Sequence, residues 1–231
     1  MDFKLFRIRL KIWLSRLYIL KFCYIVSKRQ SEIGIRFTKY LVSERTDAVV
    51  EGFPRSGNTW LTEFIRYKTD LTIASHIHYP FMVRDGIKYN IPVYLVVRHP
   101  LESISSLLVR DRSYTVEAAV YYYQAFHKDI LKYIHKIRVI SFEKVTQELD
   151  VLWREIDSNG FELDKNEVLA FKDHLELLEK SRYNSQEIAN KIGLPNDVRK
   201  EQKNQLKKQI ENHSKYEESV DIYQQIMEYA R

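Results

Sequence analysis

The chain has 231 residues, 45% hydrophobic and 29% charged, a balance that fits one globular domain and excludes a disordered chain. Its single cysteine, Cys23, excludes an intrachain disulfide and argues against a thiolate metal cluster, which favours a reducing compartment such as the cytoplasm. The net charge of +6 divides into +8 over residues 1–45 (11 Lys/Arg, 3 Asp/Glu) and −2 over the rest (26 against 28), so the body lacks the basic face of a nucleic-acid binder.

The chain opens with the basic arm, residues 1–45, ahead of a domain over 46–231. Residues 1–30 mix large apolar side chains with Lys4, Arg7, Arg9, Lys11, Arg16 and Lys21, and no window of about 18 residues is free of charge, as a spanning helix would need. Lys4, Arg7, Lys11 and Ser15 share one helical face, while Arg9 and Arg16 interrupt the apolar side. Three readings stand open: a helix packed on the domain with solvated basic tips, a basic amphipathic helix lying peripherally on an anionic membrane, and a signal anchor.

Strands are expected over Ala48–Phe53, Ile73–Ile77, Pro92–Val97 and Ile137–Phe142. Helices are expected over Thr59–Tyr67, Leu101–Arg110, Val116–His135, Gln147–Asn159, Lys165–Lys180 and Ser214–Tyr229. Short apolar strands alternating with longer helices imply a central parallel sheet with crossover helices, an α/β three-layer sandwich. The run "RKEQKNQLKKQ" reads as a solvated face or a loop.

Three stretches carry chemistry. In "EGFPRSGNTWL" a strand gives way to a helix through a loop rich in hydrogen-bond donors, the geometry that receives an anion at a helix N-terminus. Gly52 and Gly57 have the spacing of a nucleoside-triphosphate loop, but Asn58-Thr59 follows where Lys-Ser/Thr belongs, and the cation stands earlier, at Arg55. In "YLVVRHPLESISSL" the pattern recurs: Arg98 ends a strand, Pro100 opens a helix, and Ser106 lies two turns on, with Ser105 as the alternative in register. An arginine fork and a hydroxyl converging there can hold a terminal phosphate without a metal. Between the two, "IASHIHYP" places His76 and His78 on one side of a strand. The plain alternatives are an ordinary turn, a surface ion pair and two structural histidines.

"FPRSGNTWL" resembles the 5′-phosphosulfate loop of sulfotransferases, Pro-Lys/Arg-Ser-Gly-Thr/Asn-Thr-Trp. Arg98-His99-Pro100 with Ser106 resembles that family's 3′-phosphate motif. The resemblance covers roughly Asp47 to Glu143 and implies a P-loop NTPase-like sulfotransferase fold. It also implies sulfuryl transfer from 3′-phosphoadenosine 5′-phosphosulfate (PAPS), which leaves adenosine 3′,5′-bisphosphate (PAP), with no metal. Arg55, Ser56, Gly57, Asn58, Thr59 and Trp60 would hold the 5′-phosphosulfate and adenine, and Arg98 and Ser106 the 3′-phosphate. Phe142, in "VISFEKV", stands where the family has an adenine-contacting Tyr, and Arg199-Lys200 resembles a closing Arg-Lys-Gly loop in which Glu201 replaces Gly. The family's Lys-Thr-His-Leu-Pro stretch carries the general base. The 22 residues from His76 to Arg98 match its spacing, which makes His76 the expected base with His78 as substitute, and Ala74 stands at the Lys. Arg55 would balance charge on the leaving phosphate.

The acceptor is not legible: a small hydroxyl or amine compound, a glycan or a peptide fits equally. The chain is short for this family, so either acceptor loops are small or a partner subunit, as in a homodimer, completes the site. Two other readings remain, a nucleotide or nucleoside kinase with an altered loop and a nucleotide-binding scaffold without full activity.

Overall fold

The computed structural model describes residues 3–17, 41–156, 165–181 and 197–230, with the side chains of 165, 179–181 and 197–200 outside the description. Four parallel strands, β1 (Ala48–Glu51), β2 (Ile73–Ser75), β3 (Val93–Val97) and β4 (Arg138–Ser141), form one sheet in the order β2-β1-β3-β4. Val50 pairs with Ser75 on one side and Tyr94 on the other, and Val96 pairs with Ile140. The ends of β1 and β3 are therefore neighbours, and both loops expected to bind anions leave the sheet at that edge.

Both faces of the sheet are covered, which is why its strands read as nearly continuous apolar runs. Val49, Ala74, Leu95, Val97 and Val139 point into one core, and Val50, Ile73, Tyr94, Val96 and Ile140 into the other, the period-two alternation of a strand. The first core is closed by α1 (Phe3–Arg16), α3 (Phe81–Lys88), α4 (Pro100–Arg110), α5 (Val116–Leu131), α9 (Asp197–Glu211) and α10 (Tyr216–Met227). The second is closed by α2 (Asn58–Lys68), α6 (Phe142–Gln147), α7 (Leu149–Ile156) and α8 (Lys165–Ser181). This is the three-layer α/β sandwich that the alternation of elements implied.

Several boundaries differ from the sequence reading. β1 stops at Glu51 rather than Phe53, where the chain leaves the sheet and bends through residues 53–55. β2 stops at Ser75 because His76 adopts a left-handed backbone, φ 64°. The fourth strand ends at Ser141, whose side chain accepts from the Lys144 N–H and caps α6, so Phe142 opens a helix rather than closing a strand. α5 ends at Leu131, before a 3₁₀ turn over Ile134–Lys136. The basic run after residue 199 forms α9, and Ile210 is fully buried in the core beneath it.

Candidate active site

The loop from β1 to α2 is built around one buried carboxyl. Glu51 has no exposure, and its oxygens accept from the backbone N–H groups of Ile77 (2.9 Å), His78 (3.1 Å) and Gly52 (3.3 Å). It thereby clamps the segment leaving β2 against the loop leaving β1. Burial pushes the Glu51 carboxyl up to about 8, against the pull of these three donors. Nothing in the sequence marks this role, since one Glu at the end of an apolar strand reads equally as a solvated strand terminus.

Gly52 cannot carry a side chain here: a Cβ would lie 2.3 Å from the Val96 carbonyl oxygen of the neighbouring strand. Asn58, at the start of α2, donates from Nδ2 to the Gly52 carbonyl (3.2 Å) and the Phe53 carbonyl (3.3 Å), folding the loop onto its own helix. Gly57 precedes it with φ 98°, and a Cβ there would press on the Phe142 ring at 3.1 Å. The Ser56 hydroxyl is buried inside this loop and has no hydrogen-bond partner among the described residues, an isolated donor at the start of a helix.

Three residues around the loop hold left-handed backbones without being glycine: Arg55 (φ 73°), His76 (φ 64°) and His78 (φ 59°). Each costs ~1–3 kcal/mol, and such residues gather at binding and catalytic sites. The His78 imidazole lies 2.9 Å from the Gly52 carbonyl oxygen through Nδ1. A carbonyl only accepts, so Nδ1 carries the proton and Nε2 is the basic nitrogen. Burial lowers the His78 pKa to about 4, with the positive charges of Arg110 and Arg55 acting in the same direction. Tyr122 on α5 fixes the same segment by donating to the His78 carbonyl at 2.6 Å. Both His76 nitrogens are engaged, Nδ1 with the Ser75 hydroxyl at 2.6 Å and Nε2 with the Thr59 hydroxyl at 3.2 Å.

The two arginines converge. Arg55 donates through Nε to the Ser106 hydroxyl at 3.0 Å, and Arg98 donates through a terminal nitrogen to the Arg55 carbonyl at 3.1 Å. Ser106, two turns into α4, thus faces the loop, whereas Ser105 is fully buried and donates to the Leu101 carbonyl at 2.6 Å. Of the two serines in register, Ser106 is the one whose hydroxyl meets Arg55. Arg98 also stacks on the Phe142 ring, its guanidinium carbon 3.8 Å from the centroid, and Tyr123 donates to the Arg98 carbonyl at 3.1 Å.

Arg55, Ser56, Gly57, Asn58, Thr59, His76, His78, Arg98, Ser106 and Phe142 therefore surround one loop. Trp60 turns away from it: its ring packs edge-on against Phe171 of α8, 6.1 Å between centroids, in the second core. Arg199 and Lys200 lie in the backbone of α9, with their side chains outside the described residues. Two other α9 cations, Lys203 and Lys207, come close to this region. Lys203 (2.5 Å) and Lys207 bind the Glu102 carboxylate, which itself lies 3.8 Å from Arg98. These two hydrogen-bonded lysines hold Glu102 down at about 2, burial acting against them. Their spacing of four residues in a basic run was the available signal, but only α4 reveals that they face inward.

No protein-family profile and no curated protein matches the chain. Among solved structures, the chain is similar to a mouse sulfotransferase, SULT7A1, complexed with PAP, with 13% identity over 86% of this chain and 93% of that one, and a TM-score of 0.49.

Proposed function

We propose that the protein is a sulfotransferase that uses PAPS and moves a sulfuryl group to a hydroxyl or amine acceptor. The observation that carries this reading is the mutual bonding of Arg55, Ser106 and Arg98 across the adjoining ends of β1 and β3. It brings two guanidinium groups to one locus beside a helix N-terminus. The unpartnered Ser56 hydroxyl and the strained loop fit an anion there. Bound at this locus, the donor supplies an activated sulfuryl group for in-line attack by an acceptor oxygen or nitrogen.

The chain's own residues divide the remaining work. The 56–59 loop N–H groups and the Thr59 hydroxyl bind the 5′-phosphate end, Thr59 being oriented by His76. Arg98 and Ser106 bind the 3′-phosphate, with the Phe142 ring as the floor under Arg98. Lys203 and Lys207 stand beside that position and take the place the resemblance gave to Arg199 and Lys200. Arg55 offsets charge on the leaving phosphate.

His78, rather than His76, is assigned as the base. It is neutral at physiological pH, its proton is committed to Gly52 through Nδ1, and Nε2 has no partner among the described residues. Alignment on Pro80 supports the same choice: His76-Ile77-His78-Tyr79-Pro80 then parallels Lys-Thr-His-Leu-Pro, with His76 at the Lys and His78 at the His. Ala74, which spacing had set at the Lys position, is buried in the core.

The test is transfer of label from ³⁵S-labelled PAPS, with EDTA present, across a panel of phenols, glycans, lipids and peptides. Labelled product from at least one class is the expected result. Phosphate transfer from ATP–Mg²⁺ with no sulfuryl transfer would move the chain to the kinases.

A further inference from the structure

Helix α1 has two apolar faces. The inner face, Leu5, Ile8 and Ile12, is buried in the main core, and the helix end is fixed by Arg84, which donates to the Ser15 and Arg16 carbonyls at 2.5 and 3.0 Å. Ser15, which the sequence reading grouped with the basic face, is fully buried and donates to the Ile12 carbonyl at 2.6 Å. The outer face is a stripe at positions 3, 6, 10, 13 and 17: Phe3 (73% exposed), Phe6 (45%), Leu10 (41%), Trp13 (54%) and Leu17 (49%). Successive spacings of three and four residues put all five on one line along the helix.

The charges flank that line on both sides. At 100° per residue, Arg7 borders it on one side and Arg9 and Arg16 on the other, with Lys4 and Lys11 nearer the inner face, and the helix carries no acid. Arg16 is committed to Asp129 at 2.7 Å, and Arg9 stacks at 5.1 Å from the Tyr121 ring centroid while staying exposed. Arg7 is exposed too.

This pattern selects among occupants. A second copy of the chain would set Arg against Arg along both flanks of the paired helices, in either orientation. An anionic lipid surface satisfies the flanks and the stripe together. With one face buried in the protein core and the other exposed, α1 fits a helix lying in the interface; no described helix is long and apolar enough to cross a membrane. We infer that the outer face of α1 is a docking surface for an anionic phospholipid membrane, with Phe3, Phe6, Leu10, Trp13 and Leu17 in the acyl boundary and Arg7 and Arg9 at the headgroups. The inference is independent of the reaction assigned above.

The test is co-flotation of the full chain with vesicles of phosphatidylcholine alone or with 30% phosphatidylserine. Binding to the anionic vesicles, weakened by salt and nearly absent on neutral ones, is expected. Phe6→Ser with Trp13→Ser should lower the partition by about tenfold or more, since two large apolar side chains leave the lipid. Arg7→Gln should lower it by about fivefold, the share of one basic residue near such a surface. Both variants change exposed side chains, so unchanged melting temperatures serve as the folding control. Equal binding to both vesicles, undiminished binding by the Phe6/Trp13 variant, or a dimer that this variant dissolves with no vesicle binding would each overturn the inference.

Discussion

Replacing His78 by asparagine is expected to reduce sulfuryl transfer by about 10²–10⁴-fold, the range of a lost general base, while PAP binding changes little. Asparagine is the informative substitution. It tolerates the left-handed backbone that His78 adopts at φ 59°, and its amide can still donate to the Gly52 carbonyl in place of Nδ1. What it removes is the basic nitrogen. His76→Ala should act differently, weakening nucleotide binding by releasing the Thr59 hydroxyl and lowering turnover less. The pH profile tests the His78 assignment as well. A base lowered to about 4 is neutral above that pH and protonated below it, so kcat/KM should fall only near pH 4 on the acid side. Near-normal activity in His78→Asn, with no acid limb near pH 4, would take the role from His78.

The second large effect belongs to Arg98. Arg98→Ala should weaken PAP binding by about 10–100-fold, as expected for loss of a charge-assisted bond to phosphate. Binding of 5′-AMP, which lacks the 3′-phosphate, should weaken far less. Some common loss is expected because Arg98 also supports the loop through the Arg55 carbonyl. The ratio of the two losses is therefore the readout, and calorimetry with both nucleotides supplies it. Equal losses would reduce Arg98 to a brace for the loop and leave the 3′-phosphate without its assigned partner.

The parts of this site legible in the sequence are those fixed by local grammar. A strand, a Gly-bearing loop and a helix follow one another at Ala48–Lys68, and again as strand, Arg98-His99-Pro100 and helix. Parallel pairing then obliges the two loops to leave the same edge of the sheet. What could not be read depends on partners distant in sequence. Glu51 gains its role from N–H groups of residues 77 and 78, which a single strand cannot announce. Lys203 and Lys207 look like solvated charge until α9 lies on α4 and Glu102 appears beneath them. Trp60, whose place in the motif suggested adenine, is taken by Phe171, over a hundred residues away. Helix α3 went unseen for a related reason. It is short and contains Gly86, yet that glycine is required because a Cβ would meet the Val93 side chain at 2.4 Å where the helix crosses the sheet. Spacing gives no single answer for His76 or His78, since counting to Arg98 favours one and counting to Pro80 the other, and the hydrogen bonds of the two imidazoles differ.

The most direct measurement of the account is a thermal-shift comparison of PAP, with EDTA present, against ADP with Mg²⁺. A ligand present at a hundred times its dissociation constant stabilises the native state by about 2.7 kcal/mol, which a domain of this size reports as a clear rise in melting temperature. The account predicts that rise with PAP in EDTA, a much smaller one with ADP–Mg²⁺, and its loss in Arg98→Ala. Stabilisation by ADP–Mg²⁺ with no response to PAP would contradict it.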